Sequence, residues 1–425
     1  MINGFHIRNE EDILSGGEAR VLREKIKDSI SKEEFCFVNI FLSILNFDLL
    51  FNNLLGIVNR MKMFRHAGIF GLFKITIIIQ VAWFVFFLIL KRRKLENVRP
   101  VSSLFFVYIF ISSIVGLAFG NLNSKFVTHV CEYIIPILMI GFSRTILNSI
   151  QGSKELKRKW EKVVVINTYC YIICTIVFRV MYRMGFMYWS AYTSSVCLFL
   201  IPYLFYATNR TTLAFVLCGA AAISGGRSTL VRTIAIIMMY YFNSKIPFKK
   251  RVYVTITLIA GIGIAFILVN KTNYFDRIIL TINSLIKEDP DINLATGGRM
   301  SEIKRIITLM NSRPLSWMIG YGFGFYQVTG YGAVRGFSHF TPMTFTMISG
   351  IVFTTVLYLA FFIQSLKLYR KKTALSQMFC SYLLIVVVIG SLFDASIITD
   401  YKYWLIVGLS FCYTESDYST ATVKT

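Results

Sequence analysis

The length of the apolar runs constrains this chain more than any other feature. They recur as blocks of roughly 18 to 25 residues, the length a helix needs to cross about 30 Å of hydrocarbon, with short basic stretches between them. Hydrophobic residues make up 55% of the chain and charged ones 16%, a balance that water cannot solvate. A soluble enzyme, a disordered tail protein and a disulfide scaffold are all excluded. The pattern predicts an all-α, polytopic integral membrane protein of about 12 transmembrane helices. They are placed at 35–57, 68–90, 101–120, 127–149, 163–182, 188–207, 211–224, 229–243, 252–270, 340–366, 374–393 and 402–414.

The charge reads as topology before it reads as partner. Lys and Arg number 45 against 22 Asp and Glu, a net +23. With the N-terminus inside, the short cytoplasmic loops hold nineteen basic residues and the short external loops seven. That asymmetry is the positive-inside rule, so nucleic acid is not implied. The resulting division is a polar cytoplasmic segment 1–34, spans over 35–270, an external loop 271–339, spans over 340–414 and a cytoplasmic tail 415–425. The first block fits least well, because it contains Asn46, Asp48, Asn52 and Asn53 and is followed by Arg60, Lys62 and Arg65. Within the N-terminal segment, Ser15 to Glu18 has capping-box spacing ahead of a short amphipathic helix suited to the membrane surface. Seven of the eight cysteines fall inside apolar blocks, so neither a disulfide framework nor a zinc site is indicated. Cys170 and Cys174, at i and i+4, read as packing residues.

A polar stretch as long as 271–339 needs a reason, and it is the expected working part. Residues 298–311 alternate apolar Met300, Ile303, Ile306, Ile307 and Met310 with Glu302, Lys304 and Arg305, as a short amphipathic helix does. A glycine-rich turn, GYGFGFYQVTGYG, follows and suits a loop folded onto the membrane interface.

Two related tetrapeptides stand out, Ser224-Gly225-Gly226-Arg227 and Thr296-Gly297-Gly298-Arg299. A hydroxyl, two glycines and an arginine at a helix start let backbone N–H groups and a guanidinium converge on one anion, phosphate or pyrophosphate. The competing reading is two tight turns with arginines reaching for lipid headgroups. Arg232 shifts the balance, since a charge one turn into a span needs a partner or a cavity. His339, in GFSHF where the long loop re-enters the membrane, has the titration range for proton transfer at neutral pH, although an interfacial histidine also serves as a hydrogen-bonding anchor. His129 beside Glu132 is at most a second polar contact. Glu288-Asp289-Pro290-Asp291 offers acids for a metal but reads better as a solvated turn. No Walker-type loop or dinucleotide fingerprint is present, so no nucleotide cofactor is expected.

SGGRSTLVRT in a span-turn-span, TGGRMSEIKRIITLMNSRPLSWMIGYGFGFY in a long loop, and FSHFTPMTFTMISGIVFTTVLYL entering a late span come in one order. Together they resemble the O-antigen polymerase and ligase superfamily, Wzy and WaaL, over about 211–367. The family commonly carries Asn after the histidine, where this chain has Phe340. The resemblance implies a metal-independent glycosyltransferase at the outer face of the bacterial cytoplasmic membrane. It would act on saccharides linked to undecaprenyl pyrophosphate, with membrane lipid, a chain-length regulator and a flippase as partners and no cofactor. It implies Arg227 and Arg299 on the pyrophosphate, with Arg232, Gly226, Gly298, Arg305 and Arg335 lining the donor and glycan site. His339 would orient or deprotonate the acceptor hydroxyl, with Glu302 a weaker candidate for that task. A ligase using another acceptor, a non-enzymatic flippase of lipid-linked saccharide and a metal-dependent transferase built on 288–291 compete with the polymerase.

Overall fold

The structure, a computed structural model, describes residues 31–64, 79, 82–83, 85–86, 101–188, 191–192, 194–208, 210–243, 247–248, 251–257, 283–284, 286, 299–328, 334–335, 338–393 and 400–421. The expected span 68–90, most of 252–270, the N-terminal amphipathic helix, Gly298 and the acidic run 288–291 lie largely or wholly outside them. What is described is all-α apart from one two-residue hairpin, β1 (Gln327–Val328) with β2 (Val334–Arg335). Four helices are long and apolar enough to cross a membrane: α1 (Lys32–Val58), α3 (Ser124–Gly152), α4 (Lys154–Arg183) and α10 (Thr341–Lys371). Shorter apolar helices stand beside them: α2 (Val101–Ala118), α5 (Val196–Tyr206), α6 (Thr211–Ile223) and α11 (Ala374–Ser381), which continues as a π-helical run over Tyr382–Ile389. Helix α7 (Arg227–Tyr241) follows α6, and α12 (Tyr401–Ala421) closes the described chain.

Local chemistry explains where the long helices start and stop. Ser31 and Glu34 form a reciprocal capping box that opens α1, with Ser31 Oγ accepting from the Glu34 amide at 3.1 Å. The doubtful first block is thus a helix of 27 residues, and Asp48 and Asn53 are buried inside it. Asn123 caps α3 by accepting from the Lys125 and Phe126 amides. Ser153 closes α3 with its amide and opens α4 with its hydroxyl, so a single residue reverses the chain. In α10 the helix is interrupted at Gly350, whose φ of +81° an L-residue rarely adopts.

Helix α12 packs along α3, α1 along α4, and α10 against both α2 and α11. The approach of α12 to α3 depends on Gly408, where a Cβ would collide with the Ser143 side chain, the small-residue packing favoured between membrane helices. An aromatic core joins α2, α3, α10 and α12: Tyr108 lies 4.0 Å from Phe353 and 4.9 Å from Tyr133 between ring centroids, and Phe105 sits 4.8 Å from Trp404. The outward faces carry large apolar groups such as Phe106 and Phe110 on α2 and Ile173 and Ile176 on α4, which suits hydrocarbon and not water.

One span and one loop differ from expectation. The block 188–207 is helical only from Val196; before it, 186–188 pairs with 60–62, the Lys62 amide donating to the Phe186 carbonyl and the Tyr188 amide to the Arg60 carbonyl. Such backbone survives within an apolar slab because protein groups satisfy it. The glycine-rich turn is folded into the protein, not onto its surface: Tyr321 and Phe323 are buried. Gly320, Gly322 and Gly324 all have positive φ, and a Cβ on any of them would meet the backbone of α10, of α2 or of Asn121. The amides of Tyr321 and Gly322 donate to the Met347 and Ile348 carbonyls, and that of Phe323 to Ser112. The break at Gly350 frees those α10 carbonyls to accept.

Candidate functional site

The site is built at the end of the bundle where α2 ends, α3 begins and α10 begins. Helix α8 (Arg299–Ser312) and the short α9 (Leu315–Ile319) lie there and pack against α10. Ile306 and Met310, two members of the expected apolar stripe, are buried, while Lys304 and Arg305 on the opposite face are exposed. That registration turns Glu302 toward the chain entering α10. Asn121 and Asn123 donate to the carbonyls of Tyr321 and Gly324 at 2.7 and 3.1 Å, and the Gly324 amide donates to His129 Nδ1 at 3.2 Å. His129 therefore pins the loop.

Glu302 and His339 meet directly. The carboxylate lies 3.0 Å from His339 Nδ1, accepts from the His339 amide at 3.1 Å and accepts from Ser338 Oγ at 3.3 Å. Ser338 is held in turn by Thr344, which accepts from its amide at 2.8 Å. Burial alone would raise the Glu302 carboxyl, but the hydrogen bond and charge of the His339 ring, its amide and the Ser338 hydroxyl outweigh that and hold it below the ordinary glutamate range. The side chain of His339 is 40% exposed and that of Glu302 26%, so the imidazole faces the open side and the carboxylate backs it. A carboxylate on Nδ1 fixes the ring's orientation and leaves Nε2 to accept a proton, the arrangement of an oriented general base.

Among the expected arginines, Arg299 is the first residue of α8 and donates to the Phe393 carbonyl at 2.9 Å, with its guanidinium 6.0 Å from the Phe393 ring. Arg227 is the first residue of α7, capped by Gly226 after Gly225 at φ +79°. Arg232 is buried: it donates to the Ser228 carbonyl at 3.2 Å and, at 3.4 Å, to Ser228 Oγ and Tyr403 Oη. Arg305 is on the exposed face of α8, and Arg335 pairs with Gln327 in the hairpin. The π-run 382–389 packs against α7, and Phe393 lies just beyond it, so this segment links the two arginine-bearing helix starts.

Helices α6 and α7 span only about 20 and 23 Å at 1.5 Å per residue, less than the hydrocarbon thickness. Their connecting turn is held by neighbouring elements. Arg179, one helical turn before the end of α4, holds its floor by donating to the Ile223 carbonyl from Nε at 2.6 Å and again from Nη2. The Ser224 carbonyl accepts from the Tyr192 amide at 2.9 Å.

Sequence reasoning passed over Arg179 and a buried ionic cluster. Asp48 of α1 accepts from Tyr401 Oη at 2.6 Å and from Lys402 Nζ at 3.1 Å, and Lys402 also reaches Asp400 at 2.9 Å. Single charges in apolar blocks were the available signal; their mutual contact, 354 residues apart for Asp48 and Lys402, was not readable. Among the described residues no group of three or more His, Cys, Asp or Glu is arranged to hold a metal ion. Comparison with protein-family models, curated proteins and solved structures finds no match to this chain.

Proposed function

We propose that this membrane protein is a metal-independent glycosyltransferase, a polymerase that moves a growing glycan from undecaprenyl pyrophosphate onto the next lipid-linked repeat unit at the outer face of a bacterial cytoplasmic membrane. The observation that carries the reading is the Glu302–His339 pair beside a helix that opens on Arg299. In this scheme Nε2 of His339 takes the proton of an acceptor hydroxyl as its oxygen attacks the anomeric carbon. The bond from that carbon to the pyrophosphate oxygen breaks, and the electron pair leaves with the polyprenyl pyrophosphate. Arg299, on α8, and Arg227, at the N-terminus of α7, meet the charge that grows on the leaving group. In this scheme Glu302 orients the base and His339 takes the proton, a division that the contact of the carboxylate with Nδ1 supports.

One observation favours a second reading, a flippase of lipid-linked saccharide: the ionisable residues Asp48, Arg232 and Lys402 are buried between helices. Purified protein in liposomes with a synthetic undecaprenyl-pyrophosphate repeat unit separates the two, by scoring released undecaprenyl pyrophosphate and inward movement of the lipid in the same sample. Release that falls by about 10²-fold or more in His339→Ala supports transfer. Movement without release would replace the polymerase with the flippase.

A further inference from the structure

The cluster at the start of α12 joins three elements through polar bonds inside an apolar interior. Both oxygens of Asp48 are engaged, Oδ1 by Asn52 at 2.9 Å and Oδ2 by Tyr401 and Lys402. Tyr401 and Lys402 thus tie the first turn of α12 to α1, while Asp400, just ahead of that turn, accepts from the Lys402 amide at 3.1 Å. The next residue, Tyr403, has no exposed surface; its ring lies 5.0 Å from Phe199 of α5 and its hydroxyl accepts from Arg232. Arg232 bonds back to Ser228, two residues beyond the Gly226 cap. Lys402 is thus joined, through its neighbour Tyr403 and the buried Arg232, to Ser228 in the first turn of α7.

We infer that Lys402, clamped between Asp48 and Asp400, is a positioning residue that acts through Tyr403 and Arg232 to set the turn 224–227. The inference rests on the proposed donor role of that turn. Mere charge compensation is the rival explanation, and the two differ in one respect. Replacing every member of a buried ionic group by neutral side chains removes the need for compensation and is tolerated for stability, but it also removes the clamp.

The test uses full-length protein in nanodiscs and reads amide hydrogen exchange over 222–233 alongside the thermal midpoint. In the neutral triple variant Asp48→Asn, Asp400→Asn, Lys402→Met, exchange at 224–230 is expected to rise by about tenfold while the protein stays folded. Lys402→Arg in the otherwise wild-type chain keeps the positive charge between the two aspartates and is expected to keep exchange slow, and the turnover of glycan transfer should fall in the triple variant and stay near the wild-type value in Lys402→Arg. Should the triple variant fail to fold, Tyr403→Phe removes only the hydroxyl that receives Arg232 and is expected to raise exchange over the same residues about threefold. Parental exchange at 224–230 in the folded triple variant, or in Tyr403→Phe where that stands in for it, would overturn the inference. Exchange is read without substrate, so a wild-type protein that transfers no glycan would count against the transferase and not against the relay.

Discussion

Glu302 does two jobs with one carboxylate, and pH separates them. Its amide and hydroxyl donors, from His339 and Ser338, dock the chain entering α10, while its contact with Nδ1 orients the imidazole. Its folded value lies below the ordinary 4.5, so the stability it contributes is complete above 4.5 and is lost as pH falls through the depressed folded value. The midpoint difference between wild type and Glu302→Gln should therefore be constant near neutrality and shrink at pH values below 4.5. A difference that persists unchanged in acid would show that the charge is not what docks the segment. Arg179 makes a separate prediction: two donors on one helix-terminal carbonyl make Arg179→Ala costly, by about 1.5–3 kcal/mol in denaturant or thermal unfolding.

Among the elements, the glycine-rich turn repays attention because its function changed between sequence and structure. Gly and Tyr spacing announced a turn, but not that its glycines face α10, α2 and the residue Asn121, since the partners Ile348, Gly116 and Asn121 are remote in the chain. Gly322→Ala would place a Cβ against the Gly116 backbone at a φ of +75° and should lower unfolding stability by more than about 2 kcal/mol. An equally stable variant would remove the turn from its role as a clamp on α10. The amphipathic character of α8 was legible from period, and Ile306 and Met310 of its stripe are buried, but period groups Glu302 with the charged face and its turn toward His339 was not readable, because the partner lies 37 residues on. The turn between α6 and α7 was legible too, since the apolar blocks 211–224 and 229–243 break where the helices end at Ile223 and begin at Arg227, but the contacts of Arg179 and Tyr192 that hold it were not, because they come from other parts of the chain.

For the molecule as a whole, four helices long and apolar enough to cross a membrane make it a membrane protein, and the distribution of basic residues supports the proposed sidedness. The basic stretch Lys154 to Lys162 opens α4 at the end opposite to α8, so the account places α8 and α9 outside. With exposed Cys36 and Cys131 replaced by serine, a cysteine at Leu315, itself 64% exposed, should react with an impermeant maleimide in intact cells. One at Lys157 should react only after permeabilisation, and the reverse pattern would invert the topology. The central claim is that Glu302 and His339 serve glycan transfer without a metal. Its most direct measurement is the glycan ladder formed in nanodiscs from a synthetic undecaprenyl-pyrophosphate repeat unit under EDTA, compared for wild type, His339→Ala and Arg299→Ala. The account predicts a wild-type ladder that survives EDTA and falls by about 10²-fold or more in each variant. A ladder abolished by EDTA, or one formed equally well without the His339 imidazole, would contradict it.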